Sequence, residues 1–131
     1  MKVFLDTNVL ASALATRGLC AELFETVLAE HELVICRELL LELKRILPAK
    51  FGTPATVTRE FIALITETGN MAAGAAPVPD DAPLIAAALN GGAGCFVTGD
   101  KALCELNSVA GMPILSPRQF WERMRTLRSP D

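Results

Sequence analysis

Histidine is nearly absent, with His31 the only one in 131 residues. It sits between Glu30 and Glu32 ahead of an apolar run, the setting of a solvated turn residue. A nucleophilic triad built on an imidazole base therefore lacks a good candidate. Cysteine is scarce and scattered: Cys20, Cys36, Cys95 and Cys104 form no C-x-x-C pair. Two of them lie inside apolar runs, where a thiol packs as a small hydrophobe, which speaks against a zinc cage or a disulfide framework. Long apolar runs are missing too. The longest, Ala82 to Leu89, falls far short of the ~20 residues that span a bilayer, although mean hydropathy is positive at +0.37. The segment Met1 to Asp6 reaches a carboxylate before a signal-peptide apolar region could form. These absences lead us to expect a soluble, cytoplasmic protein with no membrane partner. Neither an internal repeat nor a low-complexity segment is present, and 51% hydrophobic residues suffice for one core, so a single domain over residues 1–131 is expected.

What is present is an alternation of short apolar strands and amphipathic helices. Lys2 to Asp6 reads as a buried strand ending at the turn Asp6-Thr7-Asn8. From Leu19 to Glu30, the residues Cys20, Leu23, Phe24, Val27 and Leu28 follow helical i, i+3, i+4, i+7 spacing. Leu33 to Cys36 forms a second strand, leading into a helix from Glu38 to Leu47 that Pro48 should end. Thr56 to Thr68 predicts another helix, stopped at Gly69-Asn70, and Met71 to Asp80 a loop. Asp81-Ala82-Pro83 should open a helix with Asp81 as its cap and proline in the first turn, closed by Gly91-Gly92. Cys95 to Thr98 is a third strand and Pro113 to Leu115 a fourth. Ser116-Pro117-Arg118-Gln119 has the form of a capping box before the last helix. Such an order implies an α/β fold of three layers, α/β/α, around a mostly parallel sheet of four to five strands.

In such sheets ligands bind beyond the carboxyl ends of the strands. Asp6 and Asp100 lie at two of these ends, Asp81 begins the helix before the third strand, and Glu42 lies on the helix after the second, just outside its apolar sector beside Ile46. Each has a plain structural alternative. Asp6, Asp81 and Asp100 could be helix caps, and Glu42 could be a surface residue paired with Arg45 at i+3. Together, all four can share one end of one sheet.

Four stretches carry a resemblance: Val3-Phe4-Leu5-Asp6-Thr7-Asn8-Val9-Leu10, Arg37-Glu38-Leu39-Leu40-Leu41-Glu42-Leu43, Asp80-Asp81-Ala82-Pro83-Leu84-Ile85-Ala86-Ala87-Ala88, and Phe96-Val97-Thr98-Gly99-Asp100-Lys101. In order and spacing they resemble the PIN-domain family, most closely the bacterial VapC-like ribonucleases that serve as toxins of toxin–antitoxin pairs. The ending Ile114-Leu115-Ser116-Pro117-Arg118-Gln119-Phe120 also resembles the family's last strand and helix start, so nearly the whole chain is covered. The resemblance implies a single PIN-like nuclease domain over 1–131, acting as a metal-dependent endoribonuclease. Asp6, Glu42, Asp81 and Asp100 would then be catalytic and metal-holding, with Thr98 and Asn8 in support. Of the pair Asp80/Asp81, Asp81 is preferred, because Ile85 and Ala88 then face the sheet. The implied cofactor is one or two Mg²⁺ or Mn²⁺ ions, which favour carboxylates and retained waters. The implied partners are RNA as substrate, a small cognate antitoxin and a second copy in a homodimer.

A formal charge of −3 runs against the basic footprint expected of a nucleic-acid enzyme; without the four candidate site carboxylates it becomes +1. Four arginines, Arg118, Arg123, Arg125 and Arg128, stand against Glu122 alone near the end of the chain. Of these, Arg118, Arg123 and Arg125 are candidates for RNA backbone contact, a solvated helix face being the alternative. Two other functions compete: a PIN-like interaction module without catalysis, and a phosphatase with Asp6 as nucleophile. The second is disfavoured because position 8, where such enzymes carry another aspartate, is Asn8.

Overall fold

The fold is seen in a computed structural model that describes residues 1–72 and 82–128. In chain order the elements are β1 (Lys2–Leu5), α1 (Thr7–Ala15), α2 (Leu19–Glu30), β2 (Glu32–Ile35), α3 (Arg37–Phe51), α4 (Ala55–Thr68) and β3 (Asn70–Met71). There follow α5 (Pro83–Asn90), β4 (Cys95–Val97), α6 (Lys101–Cys104), β5 (Ser108–Val109), β6 (Met112–Leu115) and α7 (Pro117–Arg128). The sheet order is β3-β2-β1-β4-β6-β5, parallel throughout except for β5, which runs antiparallel to β6. The four longer strands are the expected ones. β3 and β5, two residues each, bring the total among the described residues to six.

The apolar strands are covered on both faces. Val3, Phe4 and Leu5 of β1 and Cys95, Phe96 and Val97 of β4 are fully or almost fully buried, and Phe4 stacks on Phe96 across the paired strands with ring centroids 5.1 Å apart. On one side Phe24 of α2 meets Phe61 of α4 at 5.4 Å, and α7 packs against α2 with Phe120 buried. The chain leaves β3 to re-enter the sheet on the far side of β1, and a right-handed crossover in that direction puts α5 on the other face. The result is the α/β/α sandwich that the alternation implied. Because β2 and β4 flank β1 with the chain progressing in opposite directions, the β1/β4 edge is a topological switch point, where a crevice opens beyond the strand ends.

Local chemistry explains where element boundaries differ from expectation. Pro48 does not end α3. It sits exposed in the helix, which continues to Phe51 and closes at Gly52, whose φ of +63° is the left-handed cap that glycine takes without strain. Proline costs a helix its bond to the carbonyl four residues back, and at this exposed site water can take that carbonyl. The N-cap of α5 is Ala82, with no side-chain cap hydrogen bond, rather than Asp81. Asp80 and Asp81 themselves lie outside the described residues. The capping box of α7 forms as expected, with the Ser116 N–H donating to Gln119 Oε1 at 2.9 Å and the Gln119 N–H to Ser116 Oγ at 3.1 Å.

Gly91 lets α5 settle against the sheet. A Cβ there would come within 2.5 Å of Val34 Cγ1, on a strand residue only 1% exposed. Gly91→Ala should lower stability by about 1 to 3 kcal/mol, since a rigid β-branched neighbour in a packed sheet cannot rotate away. Urea unfolding of the two proteins checks this, and an unchanged midpoint would mean that the backbone at Gly91 shifts freely.

Candidate active site at the β1/β4 switch point

Asp6 follows β1 and Thr98 follows β4. The register that pairs Leu5 with Val97 makes them neighbours across the two strands. The Asp6 N–H donates to Val97 O at 2.9 Å and the Thr98 N–H to Leu115 O at 2.9 Å, so both residues are still held by the ladder. The carboxylate of Asp6 is fixed at both oxygens. Oδ1 accepts the Thr7 N–H at 2.8 Å as the N-cap of α1, and Oδ2 accepts the Thr98 hydroxyl at 2.7 Å. The same hydroxyl accepts the Asp100 N–H at 3.1 Å. One buried threonine thus ties the acid after β1 to the turn after β4. Beside it, the hydroxyl of Thr7 is buried with no hydrogen-bond partner among the described residues.

Asp100 caps α6, its Oδ1 accepting the Ala102 and Leu103 N–H groups at 2.8 and 3.2 Å. The capping role is compatible with a place at the site, because both bonds fall on one oxygen and the other is left for a different partner. Glu42 is half-buried on α3 and lines the same pocket of about 180 Å³ as Asp6. Among the described residues it forms no ion pair with Arg45, which removes the plain reading of it as a surface pair. Burial pushes the Asp6 carboxyl above its ordinary value. The hydrogen bonds from Thr98 and Thr7 oppose that rise, and the charges of Glu42 and Asp100 add to it. Two of the other acids singled out in the sequence, Glu42 and Asp100, therefore act on Asp6 here, and the fourth, Asp81, is outside the described residues.

Asn8 is exposed in the first turn of α1 and makes no side-chain hydrogen bond among the described residues. The three candidate arginines, Arg118, Arg123 and Arg125, are spread along α7. Arg118 lines an open groove that also includes Gly99 and Lys101, on either side of Asp100, and it pairs with Glu122 at 3.3 Å. Arg123 lies near enough to Cys95, at the start of β4, to oppose the burial that pushes this thiol up to about 11. The helix therefore runs away from the site, and Arg123 stands at the other end of the sheet from Arg118.

Sequence reasoning missed the apolar side of the pocket, where Pro83, Leu84 and Leu103 border the two carboxylates. Leu103 had a readable signal, since it lies three residues beyond a capping Asp100, whose side chain takes its N–H. Pro83 and Leu84 had none, because nothing in an apolar helix start distinguishes a pocket wall from core.

Carboxylate oxygens are the donors that Mg²⁺ and Mn²⁺ prefer, and Mg²⁺ is commonly held by one or two carboxylates with several retained waters. Asp6 and Glu42 on one pocket meet that requirement. No cluster of three or more His, Cys, Asp or Glu side chains able to cage an ion forms among the described residues.

The family model described as PIN domain matches residues 2–102, from the start of β1 into α6 and across both acid-bearing strand ends. The chain belongs to the PIN-domain family. A chain from the crystal structure of VapBC2 from Rickettsia felis bound to a DNA fragment from their promoter is similar in fold to this PIN domain. The TM-score is 0.61 at 13% sequence identity, covering 88% of this chain and 98% of that one. Curated protein sequences give no match. No described helix of the PIN domain is long and apolar enough to cross a membrane.

Proposed function

We propose that residues 1–131 act as one nuclease domain, a metal-dependent endoribonuclease that hydrolyses RNA phosphodiester bonds as the toxin of a toxin–antitoxin pair. The observation that carries the chemistry is the Asp6 carboxylate, clamped at both oxygens at the β1/β4 switch point and sharing a pocket with Glu42. The four motif stretches and the fold shared with a VapBC2 chain support the toxin role and with it a small antitoxin partner, and the homodimer rests on the family resemblance of the motifs alone.

In this reading Asp6 and Glu42 would hold the ion, with Asp100 and Asp81 completing the set. Mg²⁺ or Mn²⁺, when bound, supplies Lewis acidity to the scissile phosphate and to the water that attacks it. Asp6 cannot rotate, because the Thr7 N–H and the Thr98 hydroxyl hold one oxygen each, and a fixed carboxylate fixes where the phosphate must lie. The Thr98 hydroxyl, accepting from Asp100 N–H, commits its own proton to Asp6 and so favours the ionised carboxylate. No protein nucleophile is required, and the products are a 3′-hydroxyl and a 5′-phosphate.

RNA cleavage by the purified protein should vanish in EDTA and return with Mg²⁺ or Mn²⁺. Ca²⁺ should restore it poorly, because its longer bonds and looser coordination displace the water. Cleavage by rigorously metal-free protein would end the metal reading, and absence of cleavage under every metal would favour the interaction module.

Of the arginines proposed to contact the RNA backbone, Arg118 has the best position, on the groove beside Asp100. Arg123 and Arg125 are five and seven residues further along α7, about 7 to 10 Å down its axis. Arg118→Gln should weaken RNA binding evenly across sequences and lower the salt slope by slightly under one unit, with smaller changes for Arg123→Gln and Arg125→Gln. Titrations at three salt concentrations check this ordering, and equal slopes in all four proteins would leave α7 a solvated face.

A further inference from the structure

Asp6 and Glu42 are the only polar side chains among the described residues that line their pocket. The rest of its lining is apolar: Phe96 and Ile85 are buried, and the accessible wall is Pro83 and Leu84 from the start of α5 with Leu103 from α6. Pro83 is exposed, while Leu84 and Leu103 are half-buried. An ion, its waters and a phosphate gain nothing from such a wall, since all of them are better solvated by water than by hydrocarbon. A nucleotide has one part that does gain. Its base presents an apolar face a few ångströms from its phosphate, and a wall beside phosphate-facing carboxylates is where that face arrives.

We propose that Pro83, Leu84 and Leu103 form a nucleobase subsite, which takes by face contact the base of the nucleotide whose phosphate lies against Asp6 and Glu42. The proposal rests on the nuclease reading of those two acids and adds the residues that position the substrate. The three side chains carry no hydrogen-bonding group, so the subsite grips the face of a base without reading its edge. Preference among bases at this position follows contact area, purines over pyrimidines, instead of base identity. The base must also be unstacked to reach the wall. Leu103 is well placed to set the position, because its own N–H is bonded to Asp100 Oδ1, which fixes the start of α6 relative to the acids.

The test compares a labelled single-stranded RNA dodecamer with an abasic ribose-phosphate chain of the same length, binding to the full chain in Ca²⁺ by fluorescence anisotropy. Stacking of a base on an aromatic side chain is worth about 1 to 3 kcal/mol, and face contact with aliphatic side chains is expected at the low end of that range, a factor of roughly 5 in affinity. The wild-type protein should favour the base-bearing oligomer by about that factor. Leu84→Asn and Leu103→Asn should each lose most of that factor on it, while their affinity for the abasic chain stays within about 2-fold and the rise in Tm with Mn²⁺ is kept. Leu103→Met should restore the preference, because an unbranched apolar side chain still offers a face contact. Equal binding of the two oligomers by wild type, or equal weakening of both by the variants, overturns the subsite, as does binding of neither. Base-dependent binding in a protein that cleaves no RNA in Mn²⁺ would instead overturn the nuclease reading and leave the subsite standing.

Discussion

Asp6→Asn should abolish RNA cleavage while leaving the metal-free protein no less stable than wild type. In the absence of an ion, a carboxylate here sits in a half-buried position facing Glu42, with the charge of Asp100 also reaching it. At an effective dielectric near 20, close carboxylates repel by roughly 1 to 3 kcal/mol per pair before water and protons relieve it. The substitution removes that repulsion and keeps the cap, since asparagine caps a helix about as well as aspartate. It loses one good acceptor for the Thr98 hydroxyl, a cost of about 1 kcal/mol that offsets part of the gain. The metal response separates the proteins further. An ion bound only by the folded state adds about 2.7 kcal/mol at one hundred times its Kd, which is roughly 8 to 13 °C in Tm for a chain of this length. Wild type should show such a rise with Mn²⁺, and the variant should lose most of it together with its activity. Thermal melts with and without Mn²⁺, beside a cleavage assay, decide the matter. A variant equal to wild type in both would reduce Asp6 to a helix cap.

The same acid makes the metal-free protein respond to pH in a direction opposite to an ordinary ion-paired aspartate. Its carboxyl is held above the ordinary value by burial, with Glu42 and Asp100 adding to the rise. The folded state therefore binds this proton more tightly than the unfolded chain does. The resulting stability is full below the ordinary aspartate range and is lost as pH rises through the raised folded value. Above that value Asp6 is a net liability unless an ion neutralises it. Subtracting the Asp6→Asn profile from the wild-type one isolates this contribution, which should fall with rising pH in EDTA and flatten in Mn²⁺. A difference profile that rises with pH in EDTA would contradict the environment described for this carboxylate.

Much of this was legible in the sequence because it depends on local signals that tertiary context reinforces. Strand ends at Asp6 and Thr98, the helix from Leu19 to Glu30 and the reciprocal cap of Ser116 and Gln119 all come from short patterns whose physics is completed within a few residues. What escaped depends on partners far away in the chain. β3 is two residues that exist as a strand only because β2 offers an open edge. β5 is two residues turned back on β6 through Ala110 and Gly111, both with positive φ, and an alanine in that region gives no turn signal. At the site the acids were readable as residue types at strand ends, but the sharing of one pocket by Glu42 and Asp6 was not, because α3 is placed by its packing against α1 and α4. Nor could sequence show that Thr98 bonds two acid-bearing turns at once, since the hydroxyl of a buried threonine after a strand has many potential partners.

That shared hydroxyl leads to the second large effect. Thr98→Val preserves shape and β-propensity but leaves Asp6 Oδ2 without its donor and the Asp100 N–H without its acceptor. Thr98 itself is fully buried and both of its hydrogen bonds are part-buried, so water takes their place only incompletely. Loss of a group that orients a metal-holding carboxylate typically costs 10- to 100-fold in metal affinity or activity, and a similar loss is expected here. Stability should also fall by about 1 kcal/mol, because two part-buried hydrogen bonds of the hydroxyl are lost. A merely structural threonine would show the second effect without the first. The two are separated by measuring the Mn²⁺ concentration that gives half-maximal cleavage, at a temperature where both proteins are folded. Thr98→Ser, which keeps the hydroxyl and loses only a methyl group, should recover most of the metal response while remaining somewhat less stable than wild type. If Thr98→Val bound Mn²⁺ and cleaved RNA like wild type, the bridge between Asp6 and Asp100 would contribute to folding alone, and Asp6 would have to be held for chemistry by the Thr7 N–H without it.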